Sequence, residues 1–144
     1  MPWSGYPRQM ILAGLMARRG EGGIVLVGSA AGFHALPFAA AYAGSKAGIA
    51  HFAQALRLGV KQYGVHVTLV SPGFIDTASG RRAPGPRPFA LQSSDAAARI
   101  ARAAARGQAH AIFPWPFILL RWVDHLLPRL LRDRLLLALT PPSD

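Results

Sequence analysis

Two short apolar runs set the frame for any fold of this chain: residues 24–28 (IVLVG) and 65–70 (VHVTLV). The first is continuously apolar and β-branched, the mark of a strand covered on both faces, and the second reads the same way. Residues 40–63 lie between them, and Ile49, Phe52, Leu56 and Val60 recur there at helical spacing before Gly64 closes the run. A helix joining two buried strands implies a right-handed crossover and parallel pairing. Further helices are expected over 7–19, where Arg18 and Arg19 suit a C-terminus, and over 95–106, capped by Ser94 and ended by Gly107. Residues 109–113 (AHAIF) read as a third strand. Beyond Pro114 and Pro116, helices are expected over 117–127 and 129–138, divided at Pro128. Residues 74–92, with Gly80, Pro84, Gly85, Pro86 and Pro88, read as a mobile loop. The expectation is a single α/β domain across 1–144: a doubly wound parallel sheet of about three strands with helices on both faces.

Composition removes several functions. The chain has no cysteine, so disulfides, thiolate metal sites and a thiol nucleophile are excluded. His34, His51, His66, His110 and His125 lack metal-ligand spacing, so no metal site is expected; His66 and His110 fall in strands and read as core or satisfied side chains. Ser29 lacks a glycine two places before it, which removes the hydrolase nucleophile elbow. The formal charge is +10, but the basic residues are dispersed and form no dense patch with interleaved aromatics, so nucleic acid is not an expected partner. The start lacks a signal pattern and no uninterrupted apolar stretch spans a bilayer, so no spanning helix is expected, and the lack of cysteine fits a cytoplasmic protein. The Leu/Arg-rich tail with Trp115 and Trp122 has two readings: a helix pair packed on the sheet over the substrate pocket, which is preferred, or an interfacial pair making peripheral membrane contact.

The chemistry centres on Tyr42 and Lys46, four apart near a helix start and therefore on one face. An ammonium held against a phenol favours the phenolate, which gives a general acid/base. Tyr-x-x-x-Lys alone is weak, because a solvated pair at a helix start has the same spacing. Ser29 strengthens it. It follows the buried run 24–28 directly, and the C-terminal ends of parallel strands line the ligand crevice of open α/β sheets. A hydroxyl there suits a substrate oxygen that Tyr42 protonates, although a turn serine bonding local backbone sits at such a place too.

Gly28-Ser29-Ala30-Ala31-Gly32, Tyr42-Ala43-Gly44-Ser45-Lys46 and Ser71-Pro72-Gly73-Phe74-Ile75-Asp76-Thr77 resemble, in order and spacing, three consecutive motifs of the short-chain dehydrogenases/reductases. The resemblance implies a partial Rossmann-like fold and an NAD- or NADP-dependent oxidoreductase, with hydride transfer between nicotinamide and a small carbonyl or alcohol substrate. Tyr42 would move the proton, Lys46 would tune it and bind the nicotinamide ribose, and Ser29 would orient the reacting oxygen. Pro72 and Gly73 would wall the nicotinamide, Ile75 would meet its carboxamide through the backbone, and Thr77 would contact carboxamide or phosphate. Loop 76–92 and the apolar tail hint at a hydrophobic substrate. The choice between NAD and NADP stays open.

Several parts of the family pattern are missing. No glycine-rich turn follows a strand ahead of Ser29, since Gly20-Glu21-Gly22-Gly23 precedes one; the Asn-Ala-Gly-type segment and a charged residue for the adenosine ribose are missing too; and the chain has no Asn for the family's proton relay. The chain is therefore expected to be the C-terminal, catalytic portion of a longer product. Alone it should bind nucleotide weakly or not at all, and its first strand should have an unpaired edge. The alternative function is a catalytically silent fragment acting as a dimerising or membrane-surface module. The helix at 40–63, whose stripe exceeds one sheet contact, is the expected homo-oligomer face.

Overall fold

The computed structural model describes residues 8–82, 86–138 and 140. The two apolar runs form strands β1 (Gly22–Val27) and β2 (Val65–Pro72), joined by helix α2 (Ala40–Val60). They pair in parallel, Ile24 opposite Val67 and Val27 opposite Val70. A third parallel strand, β5 (His110–Phe113), lies on the other side of β2, so the sheet order is β1-β2-β5. The β2 strand runs two residues past the expected end, because Ser71 and Pro72 pair with Ile112 and Phe113. Pro72, without an N–H, falls on its last position.

Alternation along β2 divides the core between the two faces. Val65 and Val67 pack with Ala13 of helix α1 (Arg8–Arg19) and with Leu56 and Val60 of α2. Val70 packs with Phe113 and with Ala96 of helix α3 (Ser93–Ala105) on the opposite face. Helices therefore cover both faces, as the pattern of apolar runs implies. His66 departs from the expectation of a core residue: it sits near the start of β2 but is exposed, with its ring beside Gly107.

Local chemistry moves several boundaries. The last turn expected for α2 is a 3-10 turn over Lys61–Tyr63, which ends at Gly64 with φ of 71°, a conformation that costs glycine little. Helix α3 begins earlier than expected. Its N-cap is Gln92 without a side-chain cap bond, so Ser94 is inside the helix rather than its cap. Within 74–92, the segment expected as one irregular loop, β3 (Ile75–Asp76) and β4 (Leu91–Gln92) form a small parallel sheet and Gly80–Arg82 a 3-10 turn. Pro84 and Gly85 of that segment lie outside the described residues, as does Pro7 of the first expected helix. The tail forms α4 (Pro116–Leu126) and α5 (Arg129–Ala138), interrupted at Pro128 as expected.

Among the described residues the β1 strand is an edge, paired on one side only. Ile24 and Leu26 turn toward α1 and α2, while Val25 and Val27 on the other face are 37% and 49% exposed. On α2, Leu56 and Val60 are buried against the sheet with Phe52 partly buried beside them, while Leu58 stays exposed.

Candidate active site

Parallel strands leave their carbonyl ends on one side of the sheet, and at that end Lys46 crosses from helix to strand. Its ammonium donates to the carbonyl of Val27, the last residue of β1, at 3.3 Å. The same Nζ is 5.7 Å from the centroid of the Tyr42 ring, one helical turn back. Tyr42 is half exposed, and its hydroxyl has no hydrogen-bond partner among the described residues. The main chain of this turn is braced by the Ser45 hydroxyl, which donates to the Tyr42 carbonyl at 2.8 Å.

Ser29 follows two residues after Val27. In extended conformation (φ −164°, ψ 150°) it caps the short 3-10 turn Ala30–Phe33, and its Oγ accepts from the Ala31 N–H at 3.1 Å. The local bond expected of a turn serine is thus present. It uses one acceptor position and leaves the hydroxyl proton to be donated elsewhere. The turn then lies against α2. A Cβ on Gly32 would stand 2.9 Å from the main chain of Lys46 and Ala47, so only glycine lets loop and helix approach this closely. Lys46 and Tyr42 thus meet the end of β1, and the turn that begins after Ser29 packs against the same helix.

The third motif closes the far side of that end. The N–H of Gly73 donates to the Phe113 carbonyl at 2.8 Å, tying the end of β2 to β5. The space a Gly73 side chain would take is filled by the ring of Phe117, which also meets Phe74 edge-on at 6.3 Å between centroids. The Ile75 carbonyl accepts from the Thr77 N–H at 2.9 Å, and Thr77 Oγ1 accepts from the Gly80 N–H at 2.9 Å. Thr77 thereby organises its own turn, which an ion pair between Asp76 and Arg81 at 2.6 Å holds further.

Below Pro72 lies a link that the order of residues along the chain does not announce. Ser71 is buried at 1% exposure, and its Oγ is 2.9 Å from His110 Nε2. Arg121 of α4 donates to His110 Nδ1 at 3.2 Å, so the imidazole proton sits on Nε2 and is donated to Ser71. Burial, and secondarily the Arg121 charge, hold the His110 pKa down at about 4, which keeps the ring neutral near pH 7. His110 is thus a satisfied side chain, as its strand position implied. Its partners come from β2 and α4, and only the pairing of β2 with β5 brings them together. An apolar hollow of about 540 Å³ lies beside the site, lined by Gly32, Phe33, Leu36, Pro37, Ala43 and Ala47; Ser29, Tyr42 and Lys46 do not line it.

Comparison with known proteins bears on the family and the fold. Residues 8–85 match the family model for short chain dehydrogenases. An uncharacterized oxidoreductase of Myxococcus xanthus is 35% identical over 118 residues, covering 82% of this chain and 47% of its own length. A putative ketoacyl reductase of Streptomyces coelicolor is 40% identical over 70 residues, 49% of this chain and 27% of that protein. Among solved structures, a short chain dehydrogenase from Burkholderia cenocepacia in complex with NADP matches with a TM-score of 0.72 at 24% identity. That match covers 93% of this chain and 56% of the other, and it bears on the fold alone. An actinorhodin polyketide ketoreductase with NADPH matches with a TM-score of 0.60 at 28% identity, over 73% of this chain and 50% of that one. This chain spans about half the length of the Myxococcus relative, and with the family model matching more than half of its residues it belongs to the short-chain dehydrogenase/reductase family.

Proposed function

We propose that this chain carries the proton-transfer half of a nicotinamide-dependent carbonyl–alcohol oxidoreductase. The observation that supports the reading most is the position of Lys46 Nζ, between the Tyr42 ring and the last carbonyl of β1. An ammonium has three donors, and the Val27 carbonyl uses one. Two remain for the hydroxyls of a nicotinamide ribose, so the residues present fit that half of an NAD or NADP molecule. Pro72 and Gly73 stand at the neighbouring strand end as its wall, with the Ile75 backbone and the Thr77 hydroxyl beyond them as contacts for the carboxamide. No residue of the chain answers to the glycine-rich turn that takes the pyrophosphate.

When bound, the nicotinamide supplies the hydride. The chain's own work is with the proton. Ser29 donates its hydroxyl proton to the substrate oxygen and fixes its direction, and Tyr42 delivers a proton to that oxygen in reduction or removes one in oxidation. Lys46 keeps the Tyr42 turn against β1 and holds a positive charge 5.7 Å from the centre of the phenol ring as that phenol becomes anionic. The substrate class is a small carbonyl or alcohol. Self-association through α2 is part of the same reading: Gly44 and Gly48 face open space there, and Leu58 is 60% exposed.

The test separates the two halves of the cofactor. The purified chain is expected to reduce an apolar ketone slowly with reduced nicotinamide mononucleotide and with NADH or NADPH alike, without saturation, because the adenosine half finds no site. Tyr42→Phe should lower that rate about 10²–10⁴-fold, the usual worth of a positioned acid/base. Tight, saturable binding of either dinucleotide refutes the half-site, and turnover that does not depend on Tyr42 refutes its role.

A further inference from the structure

Helix α4 is apolar on two sides, and only one of them meets protein. Phe117 points inward onto Gly73 and Phe74. On the outer side Trp115, Ile118, Leu119, Trp122 and Leu126 are 69%, 42%, 62%, 52% and 77% exposed. At 100° per residue these five positions fall within about 100° of the helix circumference, a single outward stripe. The stripe has a counterpart on α5, where Leu130 and Leu137 are 78% and 64% exposed while Leu136 is buried. Single exposed leucines need no account, but a continuous strip carrying two tryptophans does.

Charge beside the strip identifies what covers it. Between α2 and α4 runs a groove of about 430 Å³ whose lining includes Leu69 and His110 together with Arg57, Arg121, His51 and His125. Among the described residues no carboxylate lines it, and Arg57 forms no ion pair. Arg121 and His125 belong to α4 itself, so the cationic groove borders the apolar strip. Tryptophan and leucine flanked by arginine suit the headgroup region of a bilayer, where the indole sits at the polar boundary and guanidinium pairs with phosphate. Helices of 11 and 10 residues are too short to cross a bilayer and suit one lying in its plane. No helix among the described residues is long and apolar enough to span.

We propose that α4 and α5 dock this chain on the surface of an anionic bilayer, with Trp115, Leu119, Trp122 and Leu126 entering the headgroup boundary and the Arg57–Arg121 groove taking lipid phosphates. The inference is independent of the redox reading, because it uses none of Ser29, Tyr42 or Lys46.

The test is co-sedimentation of the full chain with phosphatidylcholine vesicles, with and without phosphatidylglycerol, at low and high salt, read together with tryptophan fluorescence. Binding should require the anionic lipid, weaken with salt, and shift the emission to the blue. The double variant Trp122→Ser/Leu126→Ser changes only outward side chains and should bind at least about tenfold more weakly, with an unchanged circular dichroism spectrum. Arg57→Gln should weaken binding roughly fivefold, the worth of one cation at such a surface. Arg99→Gln on α3 should leave binding unchanged. The proposal is overturned if the chain ignores anionic vesicles, if it binds neutral ones equally, or if Arg99→Gln weakens binding as much as Arg57→Gln. It is also overturned if lipid-free chain dimerises through the strip, shown by a dimer in sedimentation velocity that Trp122→Ser/Leu126→Ser dissolves.

Discussion

His110 shows how much a single residue in this fold depends on its neighbours. Its pKa of about 4 lies below the ordinary 6.5, so the unfolded chain takes up a proton over a range where the folded one does not. The resulting stability is present in full above pH 6.5 and is lost as pH falls toward 4. With the ring part-buried and partly screened by solvent, the loss should be on the order of 1–2 kcal/mol. Urea unfolding at pH 7 and pH 5 measures it: wild type should lose stability between the two, and His110→Gln should lose clearly less. Equal slopes in the two proteins would rule out His110 as the source. The same side chain satisfies buried Ser71, directly before Pro72, so its effect reaches the wall of the proposed site.

At the scale of elements, the site is an encounter between a loop and a helix. Helix α2 presents Tyr42 and Lys46 from its first turns, and the loop after β1 presents Ser29. Gly32 sets the distance between them, with a would-be Cβ 2.9 Å from the helix main chain. Gly32→Ala should therefore push the loop off α2. The expected cost is about 1–3 kcal/mol, since the neighbour is backbone and has no rotamer to change. Denaturant unfolding measures that cost, and any Tyr42-dependent turnover should fall with it. An alanine variant as stable and active as wild type would show that the loop has room the packing denies.

At the scale of the whole molecule the sheet has an open edge. Among the described residues β1 pairs on one side only and carries two partly exposed valines, and such an edge invites pairing with another strand. In solution the chain should self-associate as concentration rises. Val25→Lys places a charge on that open face and should shift association to higher concentration in sedimentation velocity, while changing folding stability by no more than about 0.5 kcal/mol because Val25 is already exposed. Association unaffected by Val25→Lys would locate the contact elsewhere, with α2 the other candidate.

The sequence by itself determined the order of helices and strands, the parallel sheet, and the family, because continuous apolar runs, helical spacing and three short motifs are local signals. It placed Ser29 at a strand end and Tyr42 one turn from Lys46 for the same reason. It misplaced the cap of α3 and read β3 and β4 as loop, since two-residue strands exist only through each other and carry no periodicity of their own. What only the tertiary structure decided is contact across elements: Lys46 on the Val27 carbonyl, Phe117 on Gly73, and the chain Arg121–His110–Ser71. These pairs are 19, 44, 11 and 39 residues apart, and nothing in a local pattern says which strand register or helix rotation will bring them within bonding distance. The physical reason is that spacing along one element fixes which side chains share a face, whereas the partner of that face is chosen by packing.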